Sequence, residues 1–170
     1  FVSSNISDKV TLEAFYAELN VRYSNKTLGA FKVNLGYSDY NYGYNSLVIL
    51  NNQSITNRLL GTVTSFGGSY KNSIGAFALK GDFGLNLTGD LNGNFLTAEA
   101  AYAFNDDIDI NAGINTNSKA PDFNFQLFQS DYLSYNWQNN FRNQQTKQLA
   151  FSLNSKRFGT LQLDYNTLDN

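Results

Sequence analysis

From Phe15 to Tyr23 the chain alternates. Phe15, Ala17, Leu19, Val21 and Tyr23 are apolar, with Tyr16, Glu18, Asn20 and Arg22 between them. A two-residue period marks a strand whose two faces meet different surroundings. The pattern returns at once: Phe31, Val33, Leu35 and Tyr37 alternate with Lys32, Asn34, Gly36 and Ser38. Ser24-Asn25-Lys26-Thr27 lies between, so the two segments read as a hairpin. Further along, Phe77, Leu79, Phe83, Leu85 and Leu87 oppose Ala78, Lys80, Asp82, Gly84 and Asn86. Leu96, Ala98, Ala100, Tyr102 and Phe104 oppose Thr97, Glu99 and Ala101. Ile108, Ile110, Ala112 and Ile114 follow, opposite Asp107, Asp109, Asn111 and Asn115. Leu149, Phe151 and Leu153, then Leu161, Leu163 and Tyr165, complete the series against polar partners that include Asp164. The stretches 88–93, 105–107 and 155–157 carry turn chemistry.

Two regions are less regular. Residues 39–72 are rich in Asn, Ser, Gly and Tyr, with strands expected near 46–50 and 58–68. Residues 117–146 hold the single Pro, Pro121, and read as an exposed loop with strand shoulders. No helix is expected.

Strand length decides which kind of sheet this is. Soluble strands average ~5–6 residues, whereas membrane-spanning strands need ~9–11 tilted residues. The segments 15–23, 31–38, 76–88, 95–105 and 107–116 sit mostly at the longer figure. On the apolar parity, aromatics gather toward strand ends and smaller or aliphatic residues lie between, the arrangement of girdles around a lipid-facing belt. The expected fold is therefore all-β: an antiparallel transmembrane β-barrel with about eight to ten strands within residues 1–170, as one barrel domain or a fragment of a larger barrel. In that reading Glu18, Asn20, Arg22, Lys32, Asn34, Lys80, Asp82, Glu99, Asp109 and Asp164 face the lumen. Phe15, Val21, Tyr23, Phe31, Leu35, Tyr37, Tyr102 and Phe104 face lipid or form the girdles.

Composition narrows the chemistry. The 170 residues include 14 Phe, 11 Tyr and 1 Trp, too many aromatics for a disordered chain. There is no Cys and no His, which removes disulfides, thiol nucleophiles, a Ser-His-Asp triad and imidazole metal sites. A net charge of −2 gives no electrostatic case for nucleic acid. Leu47-Val48-Ile49-Leu50 is one of the few purely apolar runs, and no run approaches the length of a membrane helix.

Candidate sites are few. Asp107, Asp109 and Asn111 have a calcium-like spacing, but no Gly stands at the sixth position and Ser118 occupies the twelfth. Their alternation with Ile108 and Ile110 predicts one hydrated strand face instead. Glu18 with Arg22, and Lys80 with Asp82, predict either a charged pore lining or an ion-pair ladder filling a narrow barrel. Paired carboxylates for glycoside hydrolysis could be built from Glu18, Glu99 or the Asp residues, though no spacing in the sequence supports this. Trp137 with Tyr132 and Tyr135 reads as a sugar platform, or as interfacial anchoring or loop packing. Gly67-Gly68-Ser69 lacks the lysine and helix of a phosphate loop. No enzyme activity, cofactor or metal is expected.

The C-terminal third carries a resemblance. Asn115-Thr116-Asn117-Ser118-Lys119-Ala120-Pro121-Asp122-Phe123-Asn124-Phe125, Gln129-Ser130-Asp131-Tyr132 and Tyr135-Asn136-Trp137-Gln138-Asn139-Asn140-Phe141 are its main segments. The run from Gln148 to Tyr165 belongs with them, and Gly81–Leu87 and Gly93–Leu96 fit more loosely. Over residues 40–170 the chain resembles the putative-porin family of the Bacteroidota outer membrane. The resemblance implies a Gram-negative outer-membrane barrel acting as a passive diffusion channel. Outer-membrane lipid is then its partner, with other outer-membrane proteins beside it. Two alternatives stand: a structural barrel subunit with a plugged lumen, or a soluble secreted β-sheet protein that binds glycans. Family members are longer than this chain and carry a signal peptide. The chain opens Phe1-Val2-Ser3-Ser4 without an initiator Met and closes Asn166-Thr167-Leu168-Asp169-Asn170. It thus reads as a mature form or a fragment, and segments 15–23 and 160–166 are expected not to pair with each other.

Overall fold

The computed structural model describes residues 8–45, 48–50, 52–132 and 135–169, the side chains of 48–50 excepted. Alternation produces eight long strands: β1 (Val10–Asn25), β2 (Gly29–Tyr44), β5 (Arg58–Ile74), β6 (Phe77–Gly89), β7 (Gly93–Asn105), β8 (Ile108–Lys119), β11 (Gln144–Ser155) and β12 (Gly159–Asp169). Four short strands, β3 (Val48–Leu50), β4 (Gln53–Ile55), β9 (Leu127–Phe128) and β10 (Trp137–Gln138), form two small ribbons outside the main sheet. The strand expected near 46–50 corresponds to β3, with residues 46 and 47 outside the described residues. No helix among the described residues is long and apolar enough to cross a membrane.

The eight strands form one sheet in the order β1-β2-β5-β6-β7-β8-β11-β12, and every neighbouring pair is antiparallel. β1 and β12 stand at the two edges, and no pairing between them occurs among the described residues. The sheet is therefore open there, as expected for segments 15–23 and 160–166, and no closed barrel forms among the described residues. Short turns join β1–β2, β5–β6, β7–β8 and β11–β12 at one end; the other end carries the short β6–β7 turn and the long β2–β5 and β8–β11 connections. Register shifts at Thr64/Ser65 and at Ala103/Asn105 are the kind of irregularity that bends and twists a strand locally. The first lies beside Gly89, whose φ of 116° suits only glycine and where a Cβ would run into the Thr62 carbonyl.

Packing is unusual. The chain exposes 12397 Å². A compact soluble protein of this 19.0 kDa mass would expose roughly 8,400 Å². The surplus is apolar in character: Phe15, Leu19, Val21, Tyr165 and many others on the same parity are more than half exposed.

The few buried side chains sit elsewhere. Tyr42, Tyr44 and Leu127 form the core cluster, with Leu59, Phe123 and Phe128 packed against it. Here the segment after β8 departs from the exposed loop expected for 117–146. It forms a one-turn helix, α1 (Phe123–Gln126), then β9, and folds back over the sheet. Phe123 stacks on Tyr42 with ring centroids 5.2 Å apart and lies 4.9 Å from Tyr40. Leu127 is fully buried. Gln129 donates to the Thr56 carbonyl at 2.9 Å. Ser130 Oγ and the Asp131 amide donate to the two oxygens of Asp8 at 2.7 and 2.8 Å. The segment thus runs from β8 across to the β2–β5 end as a strap. Leu127→Ala should weaken its docking by about 2–5 kcal/mol through the cavity it leaves. Limited proteolysis should then cut within 120–143 faster than in the parent protein, with the far-ultraviolet β-signal unchanged.

Candidate functional site

Each inter-strand pairing couples residues whose side chains emerge on the same side. Following the register across the sheet sorts the predicted residues. Glu18, Asn20 and Arg22 lie opposite Gly36, Asn34 and Lys32. Lys32 continues through Ser69 to Asp82 and Thr97. Lys80 faces Glu99, and Glu99 faces Gly113, which leads through Ala150 to Asp164. Asp109 lies opposite Asn154 on the same side. All ten polar candidates share one face. Phe15, Val21, Tyr23, Phe31, Leu35, Tyr37, Tyr102 and Phe104 are on the other, where Phe31 meets Tyr70 at 4.6 Å and Tyr102 meets Phe104 at 4.9 Å.

The polar face organises its charges locally. Glu18 accepts from Tyr16 Oη at 2.6 Å, Asn20 Nδ2 at 2.7 Å and Asn34 Nδ2 at 3.2 Å, and Lys32 Nζ lies 3.7 Å away. The partner of Glu18 is thus Lys32 across the strand pair, not Arg22 on its own strand. Likewise Lys80 pairs with Glu99 at 2.8 Å and not with Asp82. Lys80 and Glu99 stand directly opposite each other, where cross-strand side chains meet, whereas Lys32 stands opposite Arg22 and reaches Glu18 diagonally. Arg22 and Asp82 have no ion pair among the described residues.

The calcium-like triplet resolves differently. Asp107 lies in the β7–β8 turn, 3.6 Å from Lys156, and so does not share a strand face with the other two. Asp109 Oδ2 accepts from Asn111 Nδ2 at 2.9 Å and from Asn154 Nδ2 at 2.7 Å. No cluster of three or more His, Cys, Asp or Glu able to hold a metal occurs among the described residues. Glu18 and Glu99 stand four strand spacings apart, about 19 Å along the sheet. Retaining and inverting glycosidases hold their carboxyl groups ~5–9.5 Å apart. Trp137 stacks on Phe128 at 4.5 Å and 17°, and its Nε1 donates to the Asn124 carbonyl. It packs within the strap, so it is not an open platform with Tyr132 and Tyr135, which meet edge to face at 6.0 Å. Leu133 and Ser134 lie outside the described residues.

Between the polar face and the start of the strap lies a cavity of about 760 Å³. It is lined by Glu18, Lys32 and Asn34 on one side and Phe95, Asn117 and Lys119 on the other, with Pro121–Phe123 above. Sequence reasoning passed over Phe95, Tyr16 and the Tyr40-Tyr42-Tyr44 series. All are aromatics on the polar parity, and that break in the alternation is the signal that marks them.

An all-antiparallel sheet with one apolar outer face and one hydrated, cavity-bearing face defines a porin-like β protein. The chain belongs to the family described as "Putative porin", which it matches over residues 1–170. No curated protein and no solved structure matches it.

The Asp109 cluster ties β8 to β11 by charge-assisted bonds. Asp109→Ala should destabilise the sheet by about 1–3 kcal/mol because two amide donors lose their acceptor. Urea titration of the folded protein in detergent reads the change, and Asp109→Asn should retain part of the loss.

Proposed function

We propose that this chain is an outer-membrane β-barrel, or part of one, that works as a passive diffusion channel. The observation that carries this reading is the continuous apolar face, left exposed over all eight strands while the opposite face is polar. Such a face is far larger than a soluble monomer leaves open to water. From Phe15 to Tyr23 the apolar positions of β1 run about 26 Å along the strand, or about 20 Å after a tilt of ~40°, against an apolar band ~25 Å tall in outer-membrane barrels. Lipid is the partner that face requires. The edges of β1 and β12 meet further strands, because unpaired N–H and C=O groups in hydrocarbon cost several kcal/mol each. Solutes move through the hydrated space along the polar face, past its paired charges and amides.

A second reading has an observation of its own. The strap crosses the polar face and is anchored by Leu127 and Phe123, which suits an occluded lumen in a structural barrel subunit. Planar-bilayer recording separates the two. The channel reading expects steady ohmic conductance from purified protein, and a larger conductance when residues 122–142 are replaced by a short Gly-Ser loop. A parent protein that is electrically silent, with only the strap-deleted form conducting, would favour the plugged subunit.

The facing of side chains is testable separately. Lys at Val21 or Leu35 should cost ~2–4 kcal/mol of folding free energy in lipid, as expected near the bilayer midplane. Lys at Asn20 or Asn34 should cost much less. Folding titrations into vesicles that showed equal penalties on both parities would reject the assigned orientation.

A further inference from the structure

The polar face contains a trough. Its floor is made of small residues: Ser65, Gly67 and Ser69 on β5, with Gly84 of β6 directly opposite Gly67. One wall is the Glu18–Asn34 pair. The facing wall is Phe95, the aromatic of β7 that shares the polar parity with Thr97 and Glu99. Its ring leans over Gly84, where any Cβ would collide with it, and yet 46% of the residue stays exposed. The ring is thus held against the sheet on one side and open to the cavity on the other.

We propose that this trough binds neutral saccharides, with Phe95 as the stacking platform. The proposal rests on the hydrated polar face described above and names the solute class it admits. Three features select that class. First, the charges around the trough are mostly answered from within the protein: Lys32 lies by Glu18 and Lys119 by Asp122. Of the charged lining residues only Asp82 has no ion pair among the described residues, so an ionic solute finds a single unmatched charge there. Second, what remains is hydrogen-bonding capacity. Asn117 makes no side-chain hydrogen bond among the described residues, and neither does Asp82. An amide offers donor and acceptor together and a carboxylate accepts from hydroxyls, so the pair suits a ligand of many hydroxyl groups. Third, a sugar ring has an apolar C–H face that packs on an aromatic ring, and a concave site with one such surface and a few converging polar groups is the usual form of a small-molecule pocket.

The test uses the full chain folded in detergent, with maltotriose as probe and binding read by saturation-transfer nuclear magnetic resonance. Maltotriose should bind the parent protein. Phe95→Ala and Phe95→Leu should each weaken binding about 3- to 10-fold, the size expected for one lost ring contact. Phe95→Leu keeps the side chain's bulk, so a folding defect in the Ala variant does not obscure the result. Phe151→Ala, on the apolar face, should leave binding unchanged. Glycylglycine at the same concentration should show no transfer. Equal binding by parent and Phe95→Leu protein would overturn the proposal, as would transfer to glycylglycine with none to maltotriose. Binding of maltotriose by a protein that conducts no current would sustain the saccharide site and reject the channel.

Discussion

The sheet has almost no apolar core, and everything else follows from that. Eight strands are held side by side by their backbone ladder, from Val10 opposite Tyr44 at one side to Ser155 opposite Gly159 at the other. A backbone hydrogen bond contributes only about 0.5–1.5 kcal/mol when water competes for the same groups, and several times more in an apolar medium. A soluble sheet makes up the difference by burying one face. Here the apolar face is uncovered, so the ladder reaches its full strength only where that face meets hydrocarbon. This is why lipid enters the proposed function as part of the folding energetics.

The same constraint frees the other face. Because the polar residues do not have to pack a core, they can keep water and arrange charge. The glutamate at 18 gathers a tyrosine, two asparagines and a lysine, and the aspartate at 109 gathers two asparagines. These are exposed or half-exposed networks, so each ion pair contributes modestly to stability. Their larger effect is on the space in front of them, where they set which charges along the surface are matched and which are not.

The strap is the exception to the coreless plan. Tyr40, Tyr42 and Tyr44 are on the polar parity at the far end of β2, and they are buried because Phe123 and Leu127 cover them. Two residues apart along one strand, the three rings make a ladder that only a returning segment can close. That segment also roofs the cavity through Pro121–Phe123. Its docking therefore sets how closely the cavity is covered on that side. Leu127 holds that segment down without itself lining the cavity.

Much of this was legible in the chain itself. Period-two alternation is a local property, and it fixed which residues share a face, where the long strands run and where the tight turns fall. It could do so because a strand's side-chain direction depends only on sequence position. The strap and the trough were not legible. Pro121 and the aromatic run after it looked like exposed loop because nothing nearby in sequence partners Leu127; its partners, Tyr42 and Tyr44, come from the second strand. The ion partners were not legible for the same reason. Glu18 and Arg22 do share a face, but the cation that meets Glu18 is Lys32, which comes from the neighbouring strand opposite Arg22. Phe95 shows the boundary most clearly. Its parity is written in the sequence, but its role depends on Gly84 lying beneath it, a neighbour that only strand pairing supplies.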